Sequence, residues 1–174
     1  YYDLLYNMDM EVLNARKAVA RFINADVDEV VFTSGDTMSL NLIAWGYARK
    51  VLKPGDEIVI SEEEHASNII PWYQIAKSLG ANVKFVELTK DGDITPENLE
   101  KVMSNKVKIV AFAHVSNVIG YEIDIKTLTK VAHKYGAVMV VDGAQSVPHI
   151  KTDFKDWDID FLTFSAHKMC GPTG

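Results

Sequence analysis

The sequence contains a single cysteine, Cys170, among its 174 residues. One cysteine cannot form an internal disulfide, complete a structural zinc site or hold an iron–sulfur cluster. Proteins of reducing compartments rarely carry disulfides, so this composition predicts a cytoplasmic protein. The other possible metal ligands are also poorly placed, because His133 and His149 have no partners at metal-ligand spacing. We therefore predict no metal site.

Long apolar runs and an excess of basic residues are missing as well. The longest apolar runs, such as residues 138–141, are far shorter than the roughly 18 residues of a membrane-spanning helix. Residues 1–20 also lack the layout of a signal peptide. The 18 Lys and Arg residues are outnumbered by 24 Asp and Glu residues, which gives a formal net charge of −6. We therefore expect neither nucleic acid nor a membrane surface as a partner.

What is present is a clear alternation of hydrophobic patterns. Hydrophobic residues make up 48% of the chain, which is enough for the core of a single domain. Within residues 10–25, Val12, Ala15, Val19 and Phe22 fall on one helical face. Further along, the same reasoning predicts strands at 29–33, 57–61, 82–87, 107–113, 137–142 and 161–164, and helices at 38–51, 69–79, 96–103 and 125–135.

The predicted strands are rich in Val, Ile and Phe on both faces, and amphipathic helices separate them. This pattern is typical of an α/β domain with a mainly parallel sheet covered by helices on both faces. We therefore predict one domain over residues 1–174. Such sheets bind their ligands beyond the carboxyl ends of the strands, so polar residues that follow strands are the candidates for a site.

Polar segments with candidate residues follow three of the predicted strands, those at 29–33, 57–61 and 107–113. Residues 33–37 open a helix, whose free N–H groups could bind a phosphate or serve only as an ordinary helix start. His65 could stack its flat ring on an aromatic ligand, or belong to an exposed capping segment. Asn117 can donate and accept hydrogen bonds, although loop asparagines are commonly turn formers.

The last two strand ends carry more informative residues. Asp142 directly follows an unbroken apolar run, so its carboxylate needs a partner or a ligand, such as a protonated ring nitrogen. Gln145 reaches the same side of the turn, unless the two residues form only an Asx turn. Lys168 ends the final strand beside His167, where partial burial would favour a neutral, nucleophilic amine. Most lysines are solvated, but five agreeing strand ends favour a functional site.

Four strings carry these candidates in a fixed order: EHASNIIPW (64–72), AHVSNVIG (113–120), VDGAQSVPH (141–149) and SAHKMCGPTG (165–174). Together they resemble the class V, fold-type I pyridoxal-phosphate enzymes, and within these the cysteine desulfurases of the SufS type. The EHASNIIPW string and the GPTG ending are more similar to the SufS type than to the NifS or IscS type, in which GPKG is usual. The similarity extends over nearly the whole chain.

The resemblance implies a role for each candidate around pyridoxal phosphate. Lys168 would hold the cofactor through an imine and later move a proton at the substrate α-carbon. Asp142 would pair with the pyridinium nitrogen and keep it protonated, so that the ring stays an electron sink. Gln145 would hydrogen-bond the phenolic oxygen, and His65 would stack on the ring. Asn117 would meet the substrate carboxylate or the ring oxygen.

The resemblance also implies a phosphate site at the start of the helix predicted for 38–51. The expected phosphate ligands are Thr37, Ser165 and His167, helped by the N–H groups that open the helix. Asp36 belongs to the same cofactor-binding segment, where the family commonly has a small residue or Thr, and Met38 stands where Glu is common. A carboxylate beside a phosphate is unfavourable unless it points away from it.

The activity that the resemblance implies is removal of sulfur from L-cysteine, which gives alanine and an enzyme persulfide for iron–sulfur cluster assembly. Selenocysteine is a possible second substrate, and a sulfur-acceptor protein and a second copy of the chain are expected partners. The alternatives are another class V activity, namely a selenocysteine lyase, aminotransferase or epimerase, or a truncated scaffold without catalysis.

In the family, GPTG leads into a further strand and a small C-terminal domain with a substrate-binding arginine and the nucleophilic cysteine. The chain therefore looks like an incomplete large, cofactor-binding domain of a longer enzyme, without the following strand and the small domain, and by itself it is not expected to be competent. Cys170 lies two residues after Lys168, in a connection closed by Pro172. We expect it to be a packing residue rather than the sulfur acceptor.

Overall fold

The fold is built on a parallel sheet of five strands. In the computed structural model, which describes residues 2–172, these are β1 (Glu57–Ser61), β2 (Asn82–Val86), β3 (Val107–Ala113), β4 (Val138–Asp142) and β5 (Phe161–Thr163). Their order is β2-β1-β3-β4-β5, and every neighbouring pair is parallel. The predicted sheet is thus confirmed for five of its six strands. The last two residues of the GPTG string, Thr173 and Gly174, lie outside the described residues.

Helices connect the strands and cover both faces of the sheet. Within residues 2–172 they are α1 (Tyr2–Ile23), α2 (Asp36–Leu42), α3 (Arg49–Val51), α4 (Ile70–Leu79), α5 (Pro96–Val102), α6 (Ile125–Lys134) and α7 (Phe154–Trp157). A π-helical segment, Ile43–Ala48, joins α2 to α3 without a break. The four helices predicted between 38 and 135 are confirmed to within a residue or two. None of the described helices has the length and apolarity to cross a bilayer.

The two faces of the sheet bury separate apolar cores. On the face covered by α5 and α6, Phe112 and Met139 pack with Leu128. On the face covered by α2 and α4, Ile58 packs with Trp72. Alternate residues of one strand therefore enter different cores, and burying each large side chain contributes roughly 1.5–3 kcal/mol. This double burial explains why the strands read as continuous apolar runs.

The strand predicted at 29–33 is wrong. Glu29 ends a 3₁₀ turn (Val27–Glu29), and the residues after it pair with no strand in the described part of the chain. Val31 and Phe32 are 67% and 49% exposed. A β-rich run becomes a strand only where a neighbouring edge offers N–H and C=O partners, and the strand pattern alone cannot supply that neighbour.

The N-terminal helix is confirmed, but its surroundings differ from those expected. Helix α1 has 22 residues and spans about 33 Å, well beyond the 10–25 segment. Val12 and Phe22, on the predicted apolar face, are 50% and 55% exposed, whereas the buried residues are Ala20 and Ile23. Only the C-terminal end of α1 therefore packs on the domain.

A close approach of β4 to β5 requires a glycine. The Gly143 N–H donates to the Thr163 carbonyl at 2.7 Å, and a Cβ at position 143 would lie 2.8 Å from Val147 and 2.9 Å from Leu162. We therefore expect Gly143→Ala to lower the free energy of unfolding by about 1–3 kcal/mol, measured by urea denaturation. The control is Gly46→Ala, where a Cβ meets nothing within 4 Å and helix propensity improves. Equal losses in both variants would contradict the explanation.

Candidate functional site

A cavity of about 240 Å³ opens at the carboxyl ends of the strands. The loops that follow β1, β3, β4 and β5 all contribute to its wall. Every candidate from the sequence lies on this wall: Asp36, Thr37, His65, Asn117, Asp142, Gln145, Ser165, His167 and Lys168. Sequence reasoning missed four further lining residues, namely Ser67, Ala113, Val115 and Ala144. The structure thus brings together residues that are far apart in the chain.

Asp142 is the last residue of β4 and is 5% exposed. Its Oδ1 accepts a hydrogen bond from the Ala144 N–H at 2.9 Å. Burial raises the pKa of Asp142 to about 6, and the charge of Asp36 acts in the same direction, while the Ala144 bond and Lys168 oppose both. A carboxyl group in this state favours a cationic or N–H donor ligand.

Asp36 is a second buried carboxyl group on the same wall, 7% exposed at the start of α2. Its Oδ1 has no hydrogen-bond partner within residues 2–172. Burial raises the pKa of Asp36, against the opposing effects of the Thr163 hydroxyl, Lys168 and His65.

The segment 33–37 is fixed in place by its own hydrogen bonds. The Gly35 N–H donates to the Thr33 Oγ1 at 3.2 Å, and Gly35 has a φ of 145°, which favours glycine. The Asp36 N–H donates to the Ser165 Oγ at 2.7 Å. This corrects the expectation that the N–H groups opening the helix are all free. Ser165 and the exposed Thr37 both line the cavity.

His65 lies at the mouth of the cavity, where it caps the 3₁₀ turn Ala66–Asn68. Its Nδ1 accepts a hydrogen bond from the Ser67 N–H at 3.2 Å and lies 2.7 Å from the Ser67 Oγ. Because Nδ1 is an acceptor, this network assigns the ring proton of the neutral histidine to Nε2. The exposed ring keeps a flat face available to a ligand.

Glu64 is a buried acid that sequence reasoning missed. It is 7% exposed and lies beside the cavity wall, within hydrogen-bond distance of the Asn68 side chain and the Ala113 N–H. Burial raises the pKa of Glu64 to about 8, and the charge of Asp142 adds to the effect. One signal could have found it: an acid three residues past a buried strand, with the amide side chain of Asn68 one helical turn later.

Lys168 lies in the 3₁₀ turn Ala166–Lys168, just past β5. The expectation of partial burial is wrong, because the side chain is exposed at the open rim of the cavity. The turn carries the chain away from the sheet before the lysine is reached, which explains the exposure. His167 and Asn117 are also exposed on the wall, and Gln145 is half-buried.

Cys170 was expected to pack in an apolar segment, and this expectation is also wrong. The thiol is exposed, and the residue adopts a left-handed conformation with a φ of 62°. The left-handed residue turns the chain at the surface directly after the Lys168 turn, so the side chain is not drawn into a core. Cys170 is not part of the cavity wall.

Two of the three histidines outside the cavity wall, His133 and His149, make local contacts. His133 Nε2 lies 2.9 Å from a carboxylate oxygen of Asp160, and His149 Nδ1 lies 2.7 Å from the Gln145 carbonyl. Within residues 2–172 no group of three or more His, Cys, Asp or Glu side chains is placed to hold a metal ion. His149 thereby contacts the loop that carries Gln145.

A sequence model of the class-V aminotransferase family matches residues 2–174. The chain belongs to this family. A probable cysteine desulfurase of Halalkalibacterium halodurans is 52% identical over 161 residues, covering 92% of this chain and 40% of the relative. One from Staphylococcus epidermidis is 51% identical over 162 residues, covering 92% of this chain and 39% of the relative. The chain thus spans about 40% of the length of these relatives.

Solved structures agree with the sequence relatives. The cysteine desulfurase CsdA of Escherichia coli is 39% identical with a TM-score of 0.90, covering 94% of this chain and 43% of that one. The structure titled SspA in complex with cysteine is 28% identical with a TM-score of 0.89, covering 97% of this chain and 49% of that one. These similarities confirm both the family and the fold-type I architecture expected from the sequence.

The raised pKa of Asp142 predicts a pH dependence of stability. The folded-state pKa of about 6 lies above the ordinary value of 3.8, so the ionised form costs stability increasingly as the pH rises from about 4 to about 6. Asp142→Asn removes this cost. The unfolding free energy of the variant minus that of wild type should therefore increase by about 2–3 kcal/mol between pH 4 and pH 7.5. A difference between the two proteins that stays constant with pH would contradict the burial effect.

Proposed function

We propose that the chain is the cofactor-binding domain of a pyridoxal-phosphate-dependent cysteine desulfurase. Relatives at about 50% identity are named probable cysteine desulfurases, and the structural neighbour CsdA is a cysteine desulfurase. The observation that carries the proposal is the arrangement of Lys168, Asp142 and His65 around one cavity at the strand ends. Such a set offers an amine, a buried carboxylate and a flat ring to a single ligand.

The residues present fit this cofactor. Within the described residues, the Asp142 side chain accepts one hydrogen bond, at Oδ1. Its Oδ2 is therefore left to accept a hydrogen bond from a pyridinium N–H. Ser165 already accepts the Asp36 N–H, so its own O–H is free to donate to a phosphate oxygen. Thr37 and His167 add donors on the same wall. The acidic neighbour of this phosphate, Asp36, has a raised pKa, so its repulsion is reduced.

When bound, pyridoxal phosphate would supply an electron-withdrawing ring that stabilises negative charge on the α-carbon of an amino acid. Lys168 would hold the cofactor covalently and then take and return the α-carbon proton. Asp142 would keep the ring nitrogen protonated through a charge-assisted hydrogen bond in a partly dry site. His65 would position the ring, Gln145 would bind its phenolic oxygen, and Asn117 would bind the substrate carboxylate or that ring oxygen.

The proposed substrate is L-cysteine. Its Cβ–S bond breaks, the sulfur joins a thiol of the full enzyme as a persulfide, and the carbon skeleton leaves as L-alanine. L-Cysteine and one thiol therefore become alanine and one persulfide, with no external oxidant. A sulfur-acceptor protein would take the persulfide sulfur for iron–sulfur cluster assembly, as in the SufS type. We further propose a cytoplasmic homodimer, in which residues 1–174 form an incomplete part of the large domain.

Lys168→Ala in the full-length protein should abolish covalent cofactor binding, because only an amine can form the imine. We expect wild type to show a visible absorbance band and a borohydride-reducible adduct on the peptide that contains Lys168, read by mass spectrometry. Lys151→Ala, a change at an exposed lysine off the cavity wall, should keep both. If the Lys168→Ala protein retains a reducible, lysine-linked cofactor, the assignment fails.

A product assay separates the alternatives. The proposal expects equal amounts of alanine and persulfide sulfur from L-cysteine. Faster turnover of selenocysteine would indicate a selenocysteine lyase, a keto acid product an aminotransferase, and loss of stereochemistry an epimerase. A wild-type protein that binds no pyridoxal phosphate would indicate a scaffold without catalysis.

Cys170 should be dispensable for sulfur transfer. It lies two residues after Lys168 on a surface turn and is absent from the cavity wall, whereas a sulfur acceptor must reach the substrate sulfur and carry the persulfide outward. We expect Cys170→Ala in the full-length enzyme to release alanine and form persulfide at near wild-type rates, with Cys170→Ser as the matched control. A persulfide trapped on Cys170 by mass spectrometry would overturn this expectation.

A further inference from the structure

Glu64 is the centre of a buried polar cluster directly behind the cavity wall. Its Oε1 lies 2.6 Å from the Ser61 Oγ at the end of β1. Its Oε2 accepts from the Asn68 side chain at 2.7 Å and from the Ala113 N–H at 2.8 Å. The cluster extends to Trp72, whose Nε1–H donates to the Asn68 Oδ1 at 2.8 Å. One side chain therefore joins β1, the 3₁₀ turn and β3.

The contacts of Glu64 lead to cavity residues on two sides. His65 follows it in the chain and begins the turn that contains Asn68. Ala113 is the last residue of β3 and lies opposite Asp142 in the register of β3 and β4. Breaking the cluster would release both the turn that presents His65 and the strand end that abuts Asp142.

We propose that Glu64 is a positioning residue for this cavity, acting as a neutral carboxylic acid that locks the His65 turn to the end of β3. The proposal rests on the proposed function only for its cofactor measurements. It assigns Glu64 no contact with substrate or cofactor, since the side chain is absent from the cavity wall.

The hydrogen-bond pattern suits a neutral acid. The carbonyl oxygen of a carboxylic acid accepts two hydrogen bonds, and Oε2 receives two, from Asn68 and from Ala113. The Ser61 O–H donates to Oε1 of an ionised Glu64 at 2.6 Å, and the same short contact can carry the proton of a neutral Glu64 in the reverse direction. Both oxygens of the carboxyl group are thus paired without a counter-ion.

The surrounding charges act in the same direction. Asp142, at the end of β4, is the charged group that acts on Glu64, and Asp36 and Lys168 act in turn on Asp142. A second carboxylate beside Asp142 would be unfavourable in this dry region, and the pKa of about 8 for Glu64 agrees with a proton there at neutral pH. Asp142 then keeps its negative charge for the ligand.

Glu64→Gln is the diagnostic variant, because an amide reproduces the acceptor oxygen and the donor of a neutral acid. The folded-state pKa of Glu64 lies above the ordinary 4.5, so wild type loses stability as the pH rises from about 4.5 to about 8. In the cofactor-free full-length protein, E64Q should match wild type in melting temperature near pH 5 and exceed it at pH 8.5. Parallel melting curves at both pH values, or a less stable E64Q, would overturn the neutral-acid assignment.

Positioning is tested by comparing E64Q with Glu64→Ala and with Glu62→Gln, an exposed control in the same loop. Removing the carboxyl group leaves the buried Asn68 amide and Ala113 N–H unpaired, so we expect E64A to weaken pyridoxal phosphate binding about tenfold or more. E64Q and E62Q should bind it like wild type and keep the same pH midpoint of the visible band. If E64A does not fold, E64Q provides the test alone. A shift in the pH midpoint of its visible cofactor band would then contradict the proposal.

The outcomes distinguish the positioning role of Glu64 from the proposed function. Wild-type affinity in a folded E64A protein would overturn the positioning role while leaving the proposed function intact. Failure of wild type to bind pyridoxal phosphate would overturn the proposed function, whereas the pH-dependent stability of E64Q would still test the neutral acid.

Discussion

The register between β3 and β4 is the constraint on which the site depends. It sets Ala113 opposite Asp142, and the His114 N–H donates to the Asp142 carbonyl at 3.0 Å just beyond the last pair. Because the strands are parallel, the loops after them emerge at one edge of the sheet. A shift of one residue would turn Asp142 toward the other face of the sheet and separate it from the cavity.

Burial of three carboxyl groups gives this edge its chemical character. Asp36, Glu64 and Asp142 are each at most 7% exposed, and their pKa values are all raised by burial. Ionising them together in so small a volume is unfavourable, so the arrangement favours a bound cation or N–H donor and a proton on the acid farthest from the ligand. Lys168 is the basic group that lowers the pKa of both Asp36 and Asp142.

The sheet and the site were largely predictable, because both follow from local patterns. The bounds of β1 and β3 match the predicted ones, since continuous apolar runs between turn residues identify doubly buried strands. The strand-end rule and the family resemblance together gave candidates that all lie on the cavity wall. The strand predicted at 29–33 was wrong because strand formation needs a neighbouring strand that no local pattern specifies. The exposure of Lys168 and the role of Glu64 depend on the path of a turn and on contacts distant in sequence.

The central claim is that residues from four strand ends form one cofactor site. It is tested most directly by a crystal structure of the full-length protein grown with pyridoxal phosphate. The account predicts electron density continuous from the Lys168 Nζ to the cofactor, with the ring nitrogen within hydrogen-bond distance of Asp142 and the ring stacked on His65. Cofactor density elsewhere, or a ring nitrogen that faces away from Asp142, would contradict it.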